Sequence, residues 1–176
     1  MAQGADGDEG AFRILVERWE GVVFAFLVRM LGSREEAQDL TQETFVRMVG
    51  AAGRYRPTGQ FRSWLLRIAG NLARSRLRRR RVIRWLSLDL AAVDPPAEQP
   101  GALADIEHRE QCAAVRAAVG RLPDRQRQAL VLRQYHDLSY DEIAQAMGTT
   151  TGSVQMLLHR AMNALRDDLV NGGGMS

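Results

Sequence analysis

From Phe61 to Arg84 the chain reads FRSWLLRIAGNLARSRLRRRRVIR, and this stretch constrains the fold more than any other. At helical period Phe61, Trp64, Leu65, Ile68 and Leu72 fall on one stripe, while Arg62, Arg67, Asn71, Arg74 and Arg78 fall on the opposite side. One face needs a core and the other needs an anion. The run Arg78, Arg79, Arg80, Arg81 carries the positive charge past the end of the apolar stripe.

The charge is strongly segregated. All 24 basic residues are Arg, and the formal net charge of +3 hides segments of −5, +12 and −4 over residues 1–43, 44–88 and 89–176. Between Glu43 and Asp89 there are 12 Arg and no acid. A solvated helix face mixes signs, whereas an acid-free block focuses positive potential on one module and points to a polyanion.

At 176 residues and 45% hydrophobic, the chain can bury one moderate core or two small ones. The single Cys112 allows no internal disulfide and fits a reducing compartment. The first ten residues are polar and acidic, without the pattern of a signal peptide, and no apolar run approaches a membrane span. A cytoplasmic protein without membrane insertion is expected. Nearly every segment reads as helix and none alternates as a strand would, so the expected class is all-α.

Met1 to Gly10 reads as a frayed terminus. Phe12, Leu15, Trp19, Val22, Val23, Phe26, Leu27 and Met30 recur at helical spacing and predict a long helix from Ala11 to Leu31, stopped by Gly32. Ser33 and Glu36 form a capping-box pattern that starts a second helix, running to about Val49, with Ala37, Leu40, Phe45, Met48 and Val49 turned to the first. Its other face shows Glu35, Asp39, Gln42 and Glu43. That acidic face would repel phosphate, so it suits either a basic protein partner or plain solvent. The break GAAGRYRPTGQ then places Tyr55 and Arg56 on a loop, where they can stack an unpaired base or anchor the loop to the core.

Residues 87–104 contain three Pro in DLAAVDPPAEQPGALA and read as a linker between two small helical domains, 11–86 and 105–169. His108 and Cys112 lie one turn apart but lack the further ligands that a metal site needs. Leu122–Pro123 opens another helix, with Pro at the first helical position, leading to a turn at His136–Asp137. Ser139 and Glu142 make a second capping box, Gly148 ends a short helix, and Val154, Leu158, Ala161 and Leu165 resume the period. This is a helix-turn-helix whose second helix can enter a major groove. The three His stand in separate contexts, and neither a metal-spaced acid pair nor a Gly-rich phosphate loop is present, so neither an enzyme nor a cofactor is expected.

Four motifs in order carry a resemblance: DLTQETF from Asp39, FRSWLLRIAGNLA from Phe61 with its Arg tail, LPDRQRQALVL from Leu122, and LSYDEIA from Leu138. Over about Phe12 to Arg84 and Asp105 to Leu169 the chain resembles the bacterial extracytoplasmic-function sigma factors.

The resemblance implies a role for each face. Asp39, Gln42 and Glu43 would dock on the clamp of the RNA polymerase largest subunit. Tyr55, Arg56, Phe61 and Asn71 would hold a flipped base of the minus-ten element as the promoter melts, a step that costs a few kcal/mol of unstacking. Arg62, Arg67, Arg74, Arg78, Arg79, Arg80 and Arg81 would hold phosphates. The second domain would sit on the polymerase flap and read the minus-thirty-five element of promoter DNA through Thr150, Thr151, Ser153, Gln155, His159 and Arg160. Family members are often held inactive by an anti-sigma factor.

The recognition helix departs from the family, with Gln155 after Val154 and Met162 where basic residues are common. This raises an alternative, a polymerase-binding protein whose weak minus-thirty-five reading needs a helper factor. A stand-alone helix-turn-helix regulator is the other, although it leaves the aromatic residues and Asn beside the Arg block unexplained.

Overall fold

The computed structural model describes residues 5–53, 55, 60–86 and 106–172. Among these residues there are seven helices, α1 (Ala5–Leu31), α2 (Arg34–Ala52), α3 (Phe61–Leu86), α4 (Ile106–Arg121), α5 (Asp124–His136), α6 (Tyr140–Met147) and α7 (Thr151–Gly172), and no strand. The predicted linker, residues 87–104, lies outside the described residues.

Helix ends follow from local chemistry. α1 begins at Ala5, so the expected fraying through Gly10 is corrected from Ala5 onward. α2 continues past Val49 to Ala52 and is capped at Gly53. Pro123 is the N-cap of α5 rather than its first helical residue, with an extended ψ of 141°. Ser139 and Glu142 form the complete capping box: the Ser hydroxyl accepts the Glu142 amide at 3.3 Å and the Glu142 carboxylate accepts the Ser139 amide at 2.8 Å. The Ser139 amide and then its hydroxyl hold the Glu142 carboxyl below the ordinary glutamate range.

At Ser33 only half of the expected box forms. Its hydroxyl accepts the Glu36 amide at 3.3 Å, but the Glu36 carboxylate turns away to Arg80 and, at 3.4 Å, to Arg76 of α3. Two guanidinium partners outweigh one backbone amide for a carboxylate.

Helices α1, α2 and α3 enclose Val23, Phe26, Leu27, Met30, Leu40, Phe45, Met48, Leu65, Ala69 and Leu72. Helices α5, α6 and α7 enclose Leu132, Leu138, Ile143, Met147, Val154 and Leu158. Burial of each large apolar side chain contributes about 1.5–3 kcal/mol. Val49, expected between α1 and α2, is 53% exposed, because the two helices leave an open groove at its position rather than closing over it.

These two groups form one continuous apolar cluster. Helix α3 packs on α6, α1 packs on α5, and Arg127 ties the units through backbone carbonyls. Its guanidinium donates to Met30 O near the end of α1 at 2.7 Å and to Val119 O near the end of α4 at 3.1 Å, and also to Gly120 O and Leu122 O. Last-turn carbonyls lack partners within their own helix, so two helix C-termini share one buried cation.

Candidate nucleic-acid interface

Helix α3 starts beside a cluster of rings. Tyr55 lies 4.5 Å from Trp64 between centroids and meets Phe61 edge-on at 5.8 Å, and Trp19 of α1 backs Phe61 at 5.6 Å. The apolar stripe of α3 sets this arrangement, since Phe61 and Trp64 turn inward and the Tyr55 ring packs on both. Tyr55 and Trp64 line an open cleft of about 950 Å³ together with Gln60, Ser63 and Arg67. Such a cleft presents ring faces and a guanidinium, the two groups that hold an unpaired base. Trp64 had been assigned to the core stripe; its half-exposed ring on the cleft is what that assignment missed. Arg56 lies outside the described residues.

The opposite face of α3 is exposed at Arg67, Asn71, Arg78 and Arg79. Asn71 accepts a hydrogen bond from Arg74. Burial and the neighbouring Arg125 lower the Arg74 pKa, with Asp124 working in the other direction. Arg78 and Arg79 have no hydrogen-bond or ion-pair partner among the described residues. Three other arginines of the set are engaged within the protein: Arg62 donates to the backbone carbonyl of His136, Arg80 to Glu36 and to Leu31 O at 3.0 Å, and Arg81 to Asp124.

The helix-turn-helix has a tight turn. Gly148 adopts φ +60°, a conformation open to glycine and strained for other residues, and its amide closes α6 onto Ala144 O and Gln145 O. Thr150 then caps α7, its hydroxyl accepting the Ser153 amide at 3.3 Å. Gln155, His159 and Arg160 stand exposed on the outer face of α7, with Met156 and Met162 beside them. Thr151 and Ser153 are half-buried at the start of that helix.

A second concavity separates α1 from α2. Phe12, Val16, Phe45, Val46 and Val49, with Glu20, Thr41 and Gln42, line an apolar groove of about 460 Å³. Asp39 and Gln42 are exposed on α2, while Glu43 is bound to Arg47 one turn on at 2.7 Å. Of Asp39, Gln42 and Glu43, it is Gln42 that lines this groove; the apolar floor was not singled out from the sequence, although Val46, one turn from Gln42, was the available signal.

Among the described residues no helix is long and apolar enough to cross a membrane, and no group of His, Cys, Asp and Glu could hold a metal ion.

A helix-turn-helix packed against a second helical unit with an arginine face and a ring-lined cleft defines a nucleic-acid-binding protein of the transcription class. Sigma-70 region 2 matches residues 15–82 and Sigma-70 region 4 matches residues 112–165. The ECF RNA polymerase sigma factor SigE of Mycolicibacterium smegmatis is 37% identical over 169 residues, covering 94% of this chain and 65% of that protein. The RNA polymerase sigma-H factor of Pseudomonas aeruginosa is 35% identical, covering 90% of this chain and 86% of its own length. Among solved structures, CnrH in complex with the cytosolic domain of CnrY superimposes with a TM-score of 0.67 at 27% identity, over 97% of this chain and 94% of that one. The sigma factor RpoE of Bartonella quintana, in complex with the anti-sigma factor NepR, shares the fold with a TM-score of 0.73 at 21% identity, over 90% of this chain and 96% of that one. The chain belongs to the extracytoplasmic-function sigma factors, which direct bacterial RNA polymerase to specific promoters.

Proposed function

We propose that this sigma factor divides its work between the faces described above. Residues 11–86 bind core polymerase and melt the minus-ten element, residues 105–169 read the minus-thirty-five element, and residues 87–104 connect them. The observation that carries this reading is the ring-lined cleft of Tyr55 and Trp64 at the start of the helix that exposes Arg67, Asn71, Arg78 and Arg79. Rings accept a base that has left the duplex, and the arginines hold the phosphates on either side of it.

Core polymerase docks on the α1–α2 groove, where Val46 and Val49 supply apolar contact and Asp39, Gln42 and Glu43 pair with basic residues of the clamp. Gln155 of α7 pairs with a base edge, while His159 and Arg160 supply the charge on that helix. The scarcity of cations on this face supports weak minus-thirty-five binding that a helper factor would strengthen. The chain works in the cytoplasm, performs no catalysis of its own and needs no cofactor. Its likeness in fold to a sigma factor solved in complex with an anti-sigma factor supports control of that kind.

The test is abortive transcription by purified core polymerase, with and without this protein, on a sequenced library of promoter fragments. Start-site-specific products that require the protein are expected. Their absence despite core binding would replace this reading with a polymerase-binding protein that needs a helper, and failure to bind core would overturn it.

A further inference from the structure

The outward face of α7 holds a methionine among its polar groups. Val154, Leu158 and Ala161 turn into the core, whereas Gln155, Met156, His159 and Arg160 are exposed. At about 100° per residue, Met156 stands between His159 and Arg160 near the middle of that face, with Gln155 as its chain neighbour. Its side chain is 54% exposed and belongs to neither apolar cluster. Met156 therefore contributes little to the fold.

Several polar groups around it are already engaged within the protein. The Thr150 hydroxyl accepts the Ser153 amide at 3.3 Å and pairs with the Ser153 hydroxyl at 3.0 Å, so both close the start of the helix. The His159 ring shares a hydrogen bond with the Asn163 amide one turn on, at 3.4 Å. Among the described residues, the Gln155, Met156 and Arg160 side chains are left on this face without an internal hydrogen bond.

These three offer different chemistry to a major groove. A guanidinium takes phosphate or guanine, and a carboxamide pairs with adenine through N6 and N7. A thioether can do neither. What it can meet is the C5-methyl of thymine, the one apolar group that a base edge presents in that groove. Against guanine, or against the amino group of cytosine, it would strip water from a polar edge and return no partner. The unbranched methionine side chain can also adjust to where the methyl lies.

We propose that Met156 is a specificity residue of this sigma factor, its thioether packing on the C5-methyl of a thymine in the minus-thirty-five element, at or beside the base pair whose adenine Gln155 reads. The inference rests on the role of residues 105–169 proposed above. It also gives the scarcity of cations on α7 a counterpart: contact with a methyl discriminates between bases without neutralising phosphate.

The test replaces thymine by uracil, which deletes the methyl and leaves the hydrogen-bonding groups in place. Core polymerase carrying this chain selects its strongest promoter from the sequenced library. That promoter is rebuilt with deoxyuridine at one thymine of the upstream element at a time, and abortive products are measured at subsaturating polymerase. One position is expected to lose about fourfold, the worth of one buried methyl. In Met156→Ala the unmodified promoter should be weaker by a similar factor, and uracil at that position should cost nothing more, since the contact is already gone. Met162→Ala, exposed on the same helix about 120° around from Met156, should keep the full uracil loss. Uracil without effect at every thymine of the unaltered pair, or an undiminished uracil loss in Met156→Ala, would overturn the inference. A selected element without thymine would overturn it too and leave the minus-thirty-five role standing. An upstream region with no preferred bases would overturn that role as well, and products that form without the chain would overturn the proposed function itself.

Discussion

Glu36 of α2 holds Arg80 of α3, its carboxylate accepting Arg80 Nε at 3.1 Å while the same guanidinium donates to the Leu31 carbonyl at 3.0 Å. Arg80 of the tetra-Arg run thus belongs to the scaffold, although Arg78 and Arg79 face outward. Burial lowers its pKa, yet the group stays charged and needs these partners.

The run should therefore split on mutation. Arg79→Ala is expected to leave the melting temperature unchanged, weaken DNA binding uniformly across sequences and reduce the salt slope of binding by about 1. Arg80→Ala should cost about 1 kcal/mol, since the site is partly exposed, and lower the melting temperature by about 2–4 °C. Thermal melts beside salt titrations of the two variants decide this, and equal effects from both would remove the distinction.

Tyr55→Ala and Asn71→Ala should impair open-complex formation while leaving core binding near normal. A lost base stack is worth about 1–3 kcal/mol, which corresponds to roughly five- to 150-fold fewer open complexes. Permanganate footprinting reads the melted bases directly. Loss of core binding instead would assign both residues to packing.

On α2, beside the groove, the two acids Asp39 and Glu43 should behave unequally. Asp39 is exposed without a partner among the described residues, whereas Glu43 is held by Arg47. Asp39→Arg should slow association with core more than Glu43→Arg does, and Val46→Glu should raise the dissociation rate by placing a charge on the apolar floor. Kinetic binding to immobilised core separates the three.

His136 makes stability depend on pH. Burial, then Arg62 and Arg29, push its pKa from 6.5 down to about 4, while Asp137 works in the opposite direction. The folded chain keeps the ring neutral, and the unfolded chain protonates it below about 6.5. Its contribution is whole above that pH and falls away between about 6.5 and 4. Melting temperatures should decline across that window, and His136→Gln should flatten this part of the profile.

Much of the fold was legible because helical periodicity, capping pairs and Gly stops are local signals. Ser139 with Glu142 and the stop at Gly148 placed the helix-turn-helix to within a residue or two. Glu36 shows where local reading fails: the capping-box spacing is present, but two arginines, 40 and 44 residues away, compete for the carboxylate. Helical phase alone put Arg62, Arg80 and Arg81 with the outward arginines. Their acceptors, the His136 carbonyl, Glu36 and Asp124, are distant in sequence and carry no pattern that names them. The floor of the α1–α2 groove was hidden for another reason, since an apolar residue on a helix looks the same whether it fills a core or awaits a partner.

Arg127 reads backbone, and that has a consequence for how this molecule can vary. Every acceptor it uses is a main-chain carbonyl, so substitutions at Met30, Val119, Gly120 or Leu122 leave the oxygens where they are as long as α1 and α4 end in the same places. The junction between the two halves thus tolerates drift on one side and almost none on the other. Lysine could not take over, because a single ammonium cannot span carbonyls from two separate helix ends as a planar fork does. Divergent chains of this architecture would be free to change the surfaces that meet there while retaining one arginine.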